Sequence, residues 1–164
     1  MRVQIKTLIY LVDLNQNKVA LSAKKYGAPK GKPNGYGGVV EPNESIEEGA
    51  IRELYEEAKI TANPNDLQLV AKILFEFAHI QEDVLLYAFI LTTWQGTPQE
   101  TKEMTTPKWY NFNNLPFDKM WPSDRYFVPL IFEKAPDFSG LVFGRLVFGK
   151  DFNVEFYDIK KYLS

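Results

Sequence analysis

Glu53, Glu56 and Glu57 stand on one short stretch of this sequence, with Arg52 immediately before them. In a helix, residues three and four apart share a face, so the three carboxylates repel by about 0.2–0.5 kcal/mol per pair, and more where the face is partly buried. Arg52 reaches Glu56 one turn on, but a single guanidinium does not neutralise three carboxylates. A hard divalent cation with oxygen ligands would, and magnesium is the natural candidate. The upstream pair Gly37-Gly38 lets backbone approach a ligand closely and can offer a carbonyl to the same ion. The plainer alternative is a solvated acidic face on a surface helix.

These residues need elements to position them. Ser45-Ile46-Glu47-Glu48 is a capping box, and Ala50, Ile51, Leu54, Ala58 and Ile60 follow at roughly helical spacing, which predicts a helix over Ile46–Ala58. Before it, Val3 to Leu14 and a run around Val19 and Leu21 read as strands separated by the turn residues Asn15-Gln16-Asn17. Tyr26 to Gly38 is rich in Gly, Pro, Lys and Asn and reads as an irregular loop. After the helix, strands are expected over Leu67–Phe77, Val84–Thr93 and Lys108–Phe112, and a second helix over Asp124–Lys134. Leu141–Phe148 and Phe152–Asp158 flank Gly149-Lys150-Asp151 as a terminal hairpin. Strands and helices without strict alternation imply a mixed sheet between helices, and 164 residues without repeat or linker imply one domain over 1–164.

Composition narrows the chemistry. Net charge is -2, with 19 Lys+Arg against 21 Asp+Glu, so no global positive field would hold a nucleic-acid polymer. No cysteine is present, which removes disulfides, thiolate metal sites and cysteine nucleophiles, and the lone His79 removes a multi-histidine site. The start of the chain lacks the features of a signal peptide, and no apolar run reaches spanning length, which points to the cytoplasm and away from a membrane.

From Gly38 to Ile60 the residues follow the Nudix box at every position but one: Gly, five residues, Glu, seven residues, Arg-Glu-apolar-x-Glu-Glu-x-Gly-apolar, with Lys59 in place of the last Gly. The sequence therefore resembles the Nudix hydrolase family. That resemblance implies an α/β fold, an α/β/α sandwich with a mixed β-sheet, and Mg2+ (with Mn2+ as a substitute) held against a diphosphate. Glu53, Glu56 and Glu57 would be ligands together with the Gly37 carbonyl. Arg52 would orient the carboxylates, and Gly38 and Glu44 would brace the loop. The ion would polarise the phosphoryl oxygens and lower the pKa of the attacking water.

Similarity to one branch, the MutT-type oxidised purine nucleoside triphosphatases, runs from about Thr7 to the C-terminus. Asn34-Gly35-Tyr36-Gly37-Gly38, Phe75-Glu76-Phe77, Glu103-Met104 and Met120-Trp121-Pro122 carry it. It implies a small nucleotide substrate and release of pyrophosphate, with Asn34, Trp121 and Asp124 around the base and Phe75 in the pocket wall. Thr7 and Lys24 would form its floor and mouth, Tyr36, Gly38 and Ser123 would also touch substrate, and Glu103 would be a further carboxylate near the metal. Read as residues alone, Asn34-Gly35 is also a common turn pair, Trp121 a core aromatic, and Ser123 or Asp124 a helix N-cap. The chain departs from the branch at Ser123, where paired aspartates are expected, and at Ala28, where a pocket aromatic is expected; the latter should widen the pocket or shift the ring. Other diphosphates, such as ADP-ribose or a nucleotide sugar, and a non-catalytic nucleotide-binding module are the competing readings.

Overall fold

The computed structural model describes residues 2–27 and 30–163, so the expectation at Ala28 lies outside it. Its strands are β1 (Arg2–Asp13), β2 (Lys18–Ala23), β3 (Pro33–Asn34), β4 (Gln68–Phe77), β5 (Glu82–Leu91), β6 (Lys108–Asn111), β7 (Leu141–Phe148) and β8 (Val154–Tyr162), and its helices are α1 (Ile46–Ala58) and α2 (Asp124–Phe132). They form one mixed sheet in the order β3-β2-β1-β5-β4-β7-β8, with β6 also paired to β2. The β1–β5 and β4–β7 pairs are parallel and the others antiparallel.

Strand alternation sends successive β1 side chains to opposite faces, and each face carries its own core. Leu8, Tyr10 and Val12 pack with Phe127, Val128, Ile131 and Phe132 of α2. Ile9 and Leu11 pack with Ala50, Leu54 and Ala58 of α1. Two helices on opposite faces of a mixed sheet give the expected sandwich, and among the described residues no helix is long and apolar enough to cross a membrane.

The observed α1 has the bounds expected from its sequence because its start is specified locally. Ser45 Oγ accepts the Glu48 N–H at 3.0 Å, and the Glu48 carboxylate accepts the Ser45 N–H at 2.8 Å. Its exit is equally local: Lys59 takes the left-handed conformation, φ 59 and ψ 33, and donates its N–H to the Tyr55 carbonyl. The chain thus leaves the helix as a glycine would, with a lysine in the strained position.

Three expectations are corrected. The segment Tyr26–Gly38 is not wholly irregular: Pro33–Asn34 pairs with β2, and Tyr36 bridges Ile9. This is possible because β2 pairs with β1 only at Leu11–Asp13, leaving the earlier part of β1 free to bond the loop. The last strand starts at Val154 and runs to Tyr162, while Phe152 belongs to a 3-10 turn over Lys150–Phe152. Helix α2 ends at Phe132, short of Lys134.

Replacing Lys59 by Gly should relieve the left-handed strain, worth about 1–2 kcal/mol, less a few tenths for the contact of its ammonium with the Tyr55 ring at 4.9 Å. Urea denaturation of the Lys59→Gly variant is expected to show a net gain of about 1 kcal/mol. An unchanged or lower midpoint would contradict the strain.

Candidate active site

The loop after β3 lies against β1 as an extra strand. The Thr7 N–H donates to the Gly38 carbonyl at 2.9 Å, Val40 N–H to the Ile5 carbonyl at 2.9 Å, and Ile9 and Tyr36 exchange backbone bonds. The fit leaves no room for a side chain at Gly37, and one at Gly38 would have to displace the Glu53 carboxylate. A Cβ on Gly37 would collide with the Thr7 carbonyl, and one on Gly38 would lie 2.5 Å from the Glu53 carboxyl carbon. The Gly37 N–H donates to Glu57 Oε1 at 2.8 Å. The glycine pair therefore joins β1 to two of the α1 carboxylates through close backbone approach.

Arg52 is the hub on the solvent side of α1. Its Nε and Nη2 bind the two oxygens of Glu44 at 3.0 and 2.7 Å, Nη2 also donates to the Val39 carbonyl at 3.0 Å, and Nη1 lies 3.1 Å from Glu53 and 3.4 Å from Glu56. Glu44 in turn accepts the Glu41 N–H at 2.8 Å, closing the loop back on itself. The Arg52 hydrogen bond holds the Glu44 carboxyl below the usual carboxylate range.

Glu53, Glu57 and Glu103 line one end of a cavity of about 630 Å³. Glu103 reaches it because its segment crosses β2: Lys25 N–H donates to the Glu103 carbonyl at 2.8 Å, and Thr101 Oγ1 bonds the Glu57 carbonyl at 3.1 Å. Burial pushes Glu57 up to about 8, against the pull of the Gly37 N–H, and the Glu53 charge adds to the rise. Burial also raises Glu53, with Arg52 opposing. The other end of the cavity is lined by Asn34, Phe75, Trp121, Ser123 and Asp124, with Thr7 and Lys24 between. Asp124 is only 3% exposed, accepts the Trp121 N–H at 3.1 Å, and is pushed by burial up to about 7.

Most of the residues expected at the site thus line one cavity, and the exceptions have physical reasons. Tyr36, expected against substrate, is fully buried in the α1-side core, because its bridge to Ile9 turns its side chain under the helix. Glu56 is half-exposed and held on Arg52, outside the cavity lining. Arg52 and Glu44 stand behind the carboxylates without lining the cavity. Ser123 precedes α2, makes no side-chain cap and is among the residues that line the cavity.

Sequence reasoning missed Lys6, Lys32 and Phe148, all in the lining. Lys6 had a signal, a lysine inside the apolar run of β1; burial lowers its pKa, and the neighbouring Lys24 lowers it further. Lys32 lies near enough to Asp124 to oppose its upward shift. Phe148 depends on the parallel pairing of β7 with β4, which places it beside Phe77 and which no local pattern announces.

The donor set suits a hard cation. It is all oxygen, and it contains two carboxylates, Glu53 and Glu57, that are raised first by desolvation and further by the Glu103 charge, while the nearest guanidinium is already shared among Glu44, Glu53 and Glu56. Among the described residues no three of these carboxylates are drawn together into a ready coordination set. Arg52 holds Glu53 and Glu56 on one side, and the Gly37 N–H holds Glu57 on the other.

Comparison with known proteins accords with this geometry. Residues 4–131 match the NUDIX domain family model. The chain is 39% identical over 121 residues to the oxidized purine nucleoside triphosphate hydrolase of Mus musculus, covering 74% of this chain and 76% of that protein. It is 36% identical over 129 residues to the protein of the same name from Danio rerio, covering 79% and 81%. In fold it is similar to the crystal structure of a mutator MutT protein from Bacillus halodurans, with a TM-score of 0.76, 24% identity and coverage of 96% of this chain and 97% of that one. The box on α1, the sandwich that carries it and the match over most of the sequence lead to one conclusion: the chain belongs to the NUDIX domain family of hydrolases.

Proposed function

We propose that the chain is a magnesium-dependent pyrophosphohydrolase of purine nucleoside triphosphates, oxidised purines among them, that releases pyrophosphate and the nucleoside monophosphate in the cytoplasm. The observation that carries this reading is the single cavity with carboxylates at one end and Trp121, Asn34 and Asp124 at the other. About 630 Å³ is the size of a small-molecule site, and its two chemistries match the two ends of a nucleotide. The names of the mouse and zebrafish relatives support the same substrate class. The reading takes residues 1–164 as one domain, since β7 pairs with β4 and β1 with β5 in one sheet.

At the phosphate end, Glu53, Glu56, Glu57, Glu103 and the Gly37 carbonyl would hold the cation. Bound there, magnesium would offset charge on the diphosphate and activate water. Arg52 fixes the Glu53 carboxylate, and Lys6 and Lys24 supply positive charge for the phosphates. At the base end, Trp121 offers a face for stacking, worth about 1–3 kcal/mol, and Asn34 offers both a donor and an acceptor. Asp124, titrating at about 7, can present a proton to a base acceptor at neutral pH, a role that the Ser123 hydroxyl cannot take over by titration.

Two variants separate the ends. Glu57→Gln should lower turnover with magnesium by at least about 100-fold while the fold persists, and Trp121→Ala should raise KM for purine triphosphates by about 10-fold with a smaller effect on pyrimidines. Unchanged turnover in the first, or equal effects on both bases in the second, would sink the corresponding assignment.

Asp124 also leaves a signature in stability. Its folded-state pKa is raised from 3.8 to about 7, so its neutral form is the one the fold favours. The stability it contributes is complete below pH 3.8 and is lost as pH rises through about 7. Thermal midpoints recorded across that window should decline less steeply in Asp124→Asn than in the wild type. Parallel declines would show that Asp124 titrates as an ordinary carboxylate.

A further inference from the structure

The turn between β7 and β8 is a tight hairpin turn, closed by the Asn153 N–H donating to the Lys150 carbonyl at 3.4 Å. Asp151 and Phe152, neither of them glycine, both adopt left-handed backbone, with φ 61 and φ 58. Hairpins favour left-handed backbone at both central positions because it matches the twist of the flanking strands. The turn leaves Phe152 48% exposed, and its ring is directed by what it touches.

These contacts are with other rings. The Phe152 ring meets Trp121 edge-on, with centroids 5.5 Å apart and planes at 75°. It meets Phe77 at 6.2 Å and 76°, and Phe148 at 6.4 Å and 70°. Phe77 and Phe148 are themselves stacked at 5.0 Å and 17°, and Phe148 touches Trp121 at 6.3 Å. Trp121, Phe77 and Phe148 line the main cavity; Phe152 does not, and lines instead a second cavity of about 280 Å³ that shares Phe77 and Phe148 as walls. Phe152 therefore reaches Trp121 from outside the nucleotide cavity. The backbone at Trp121 is fixed by the Asp124 carboxylate, so the orientation of the indole plane depends on its ring neighbours.

We propose that Phe152 is a positioning residue for Trp121, holding the indole plane for base stacking and thereby favouring the larger purine face over the pyrimidine one. The discrimination rests on the nucleotide reading above; the ring contact does not. Overlap area governs stacking, so a tilted indole loses most with the larger base.

The test uses the full chain with Trp94→Phe and Trp109→Phe, which leaves Trp121 as the lone tryptophan, and compares Phe152→Ala with the conservative Phe152→Tyr. Far-UV circular dichroism and the thermal midpoint check folding, and Phe152→Leu replaces the alanine variant if that one unfolds. Phe152→Ala should lose most of the near-UV signal of Trp121 and raise KM for purine triphosphates by about 5- to 10-fold, with kcat within about twofold and pyrimidine KM unchanged. Phe152→Tyr should retain both the signal and the KM. An unchanged near-UV signal, an unchanged purine KM, or an equal rise for both bases would overturn the proposal. If the parent chain turns over no purine triphosphate, the nucleotide reading fails, and the near-UV signal alone decides whether Phe152 positions Trp121.

Discussion

The backbone at Gly37 runs so close to β1 that no side chain fits there, and at Gly38 it lies against the Glu53 carboxylate of α1. It bonds to Thr7 on one side and to Glu57 on the other. The arrangement of the carboxylate end of the cavity follows from this contact. It fixes how closely α1 lies to the sheet, and so it fixes which α1 carboxylates face the cavity. Glu53 and Glu57, one turn apart, face inward, whereas Glu56 stays with Arg52 on the solvent side.

Close approach has an electrostatic cost, since it buries carboxylates beside one another and raises both Glu53 and Glu57. Arg52 offsets part of that cost, but its bidentate bond to Glu44 and its bond to the Val39 carbonyl also tie the loop to the helix. One guanidinium thus serves loop closure and carboxylate orientation together, and it leaves the inward charge only partly neutralised. That residual charge is what a divalent cation would meet. The aromatic end of the cavity is built differently: a buried Asp124 that accepts the Trp121 backbone N–H, and a group of phenylalanines from β4, β7 and the turn beyond it.

What was legible in the sequence was specified locally. Helix α1 was readable to the residue because a capping box marks its start, and the long strands were readable from their apolar runs. The box residues came with their spacing. What was not legible depended on contacts between distant segments. Tyr36 looks like a loop tyrosine beside glycines, yet the loop pairs with β1 and carries it into the core. The left-handed exit at Lys59 is different: it is local, and the box marks it as a glycine position that here holds lysine. Phe148 joins the cavity only through the β4–β7 pairing, and Phe152 read as the start of a strand until the turn placed its ring on Trp121.

On the proposed reading, one cavity binds a purine triphosphate with its phosphates at the carboxylates and its base at Trp121. The direct measurement incubates the protein and magnesium with ordinary and oxidised purine triphosphates, pyrimidine triphosphates, ADP-ribose and nucleotide sugars, and measures pyrophosphate and phosphate separately. The account predicts pyrophosphate and monophosphate from purine triphosphates, oxidised ones included. Release of single phosphates, or a preference for ADP-ribose or a nucleotide sugar, would contradict it.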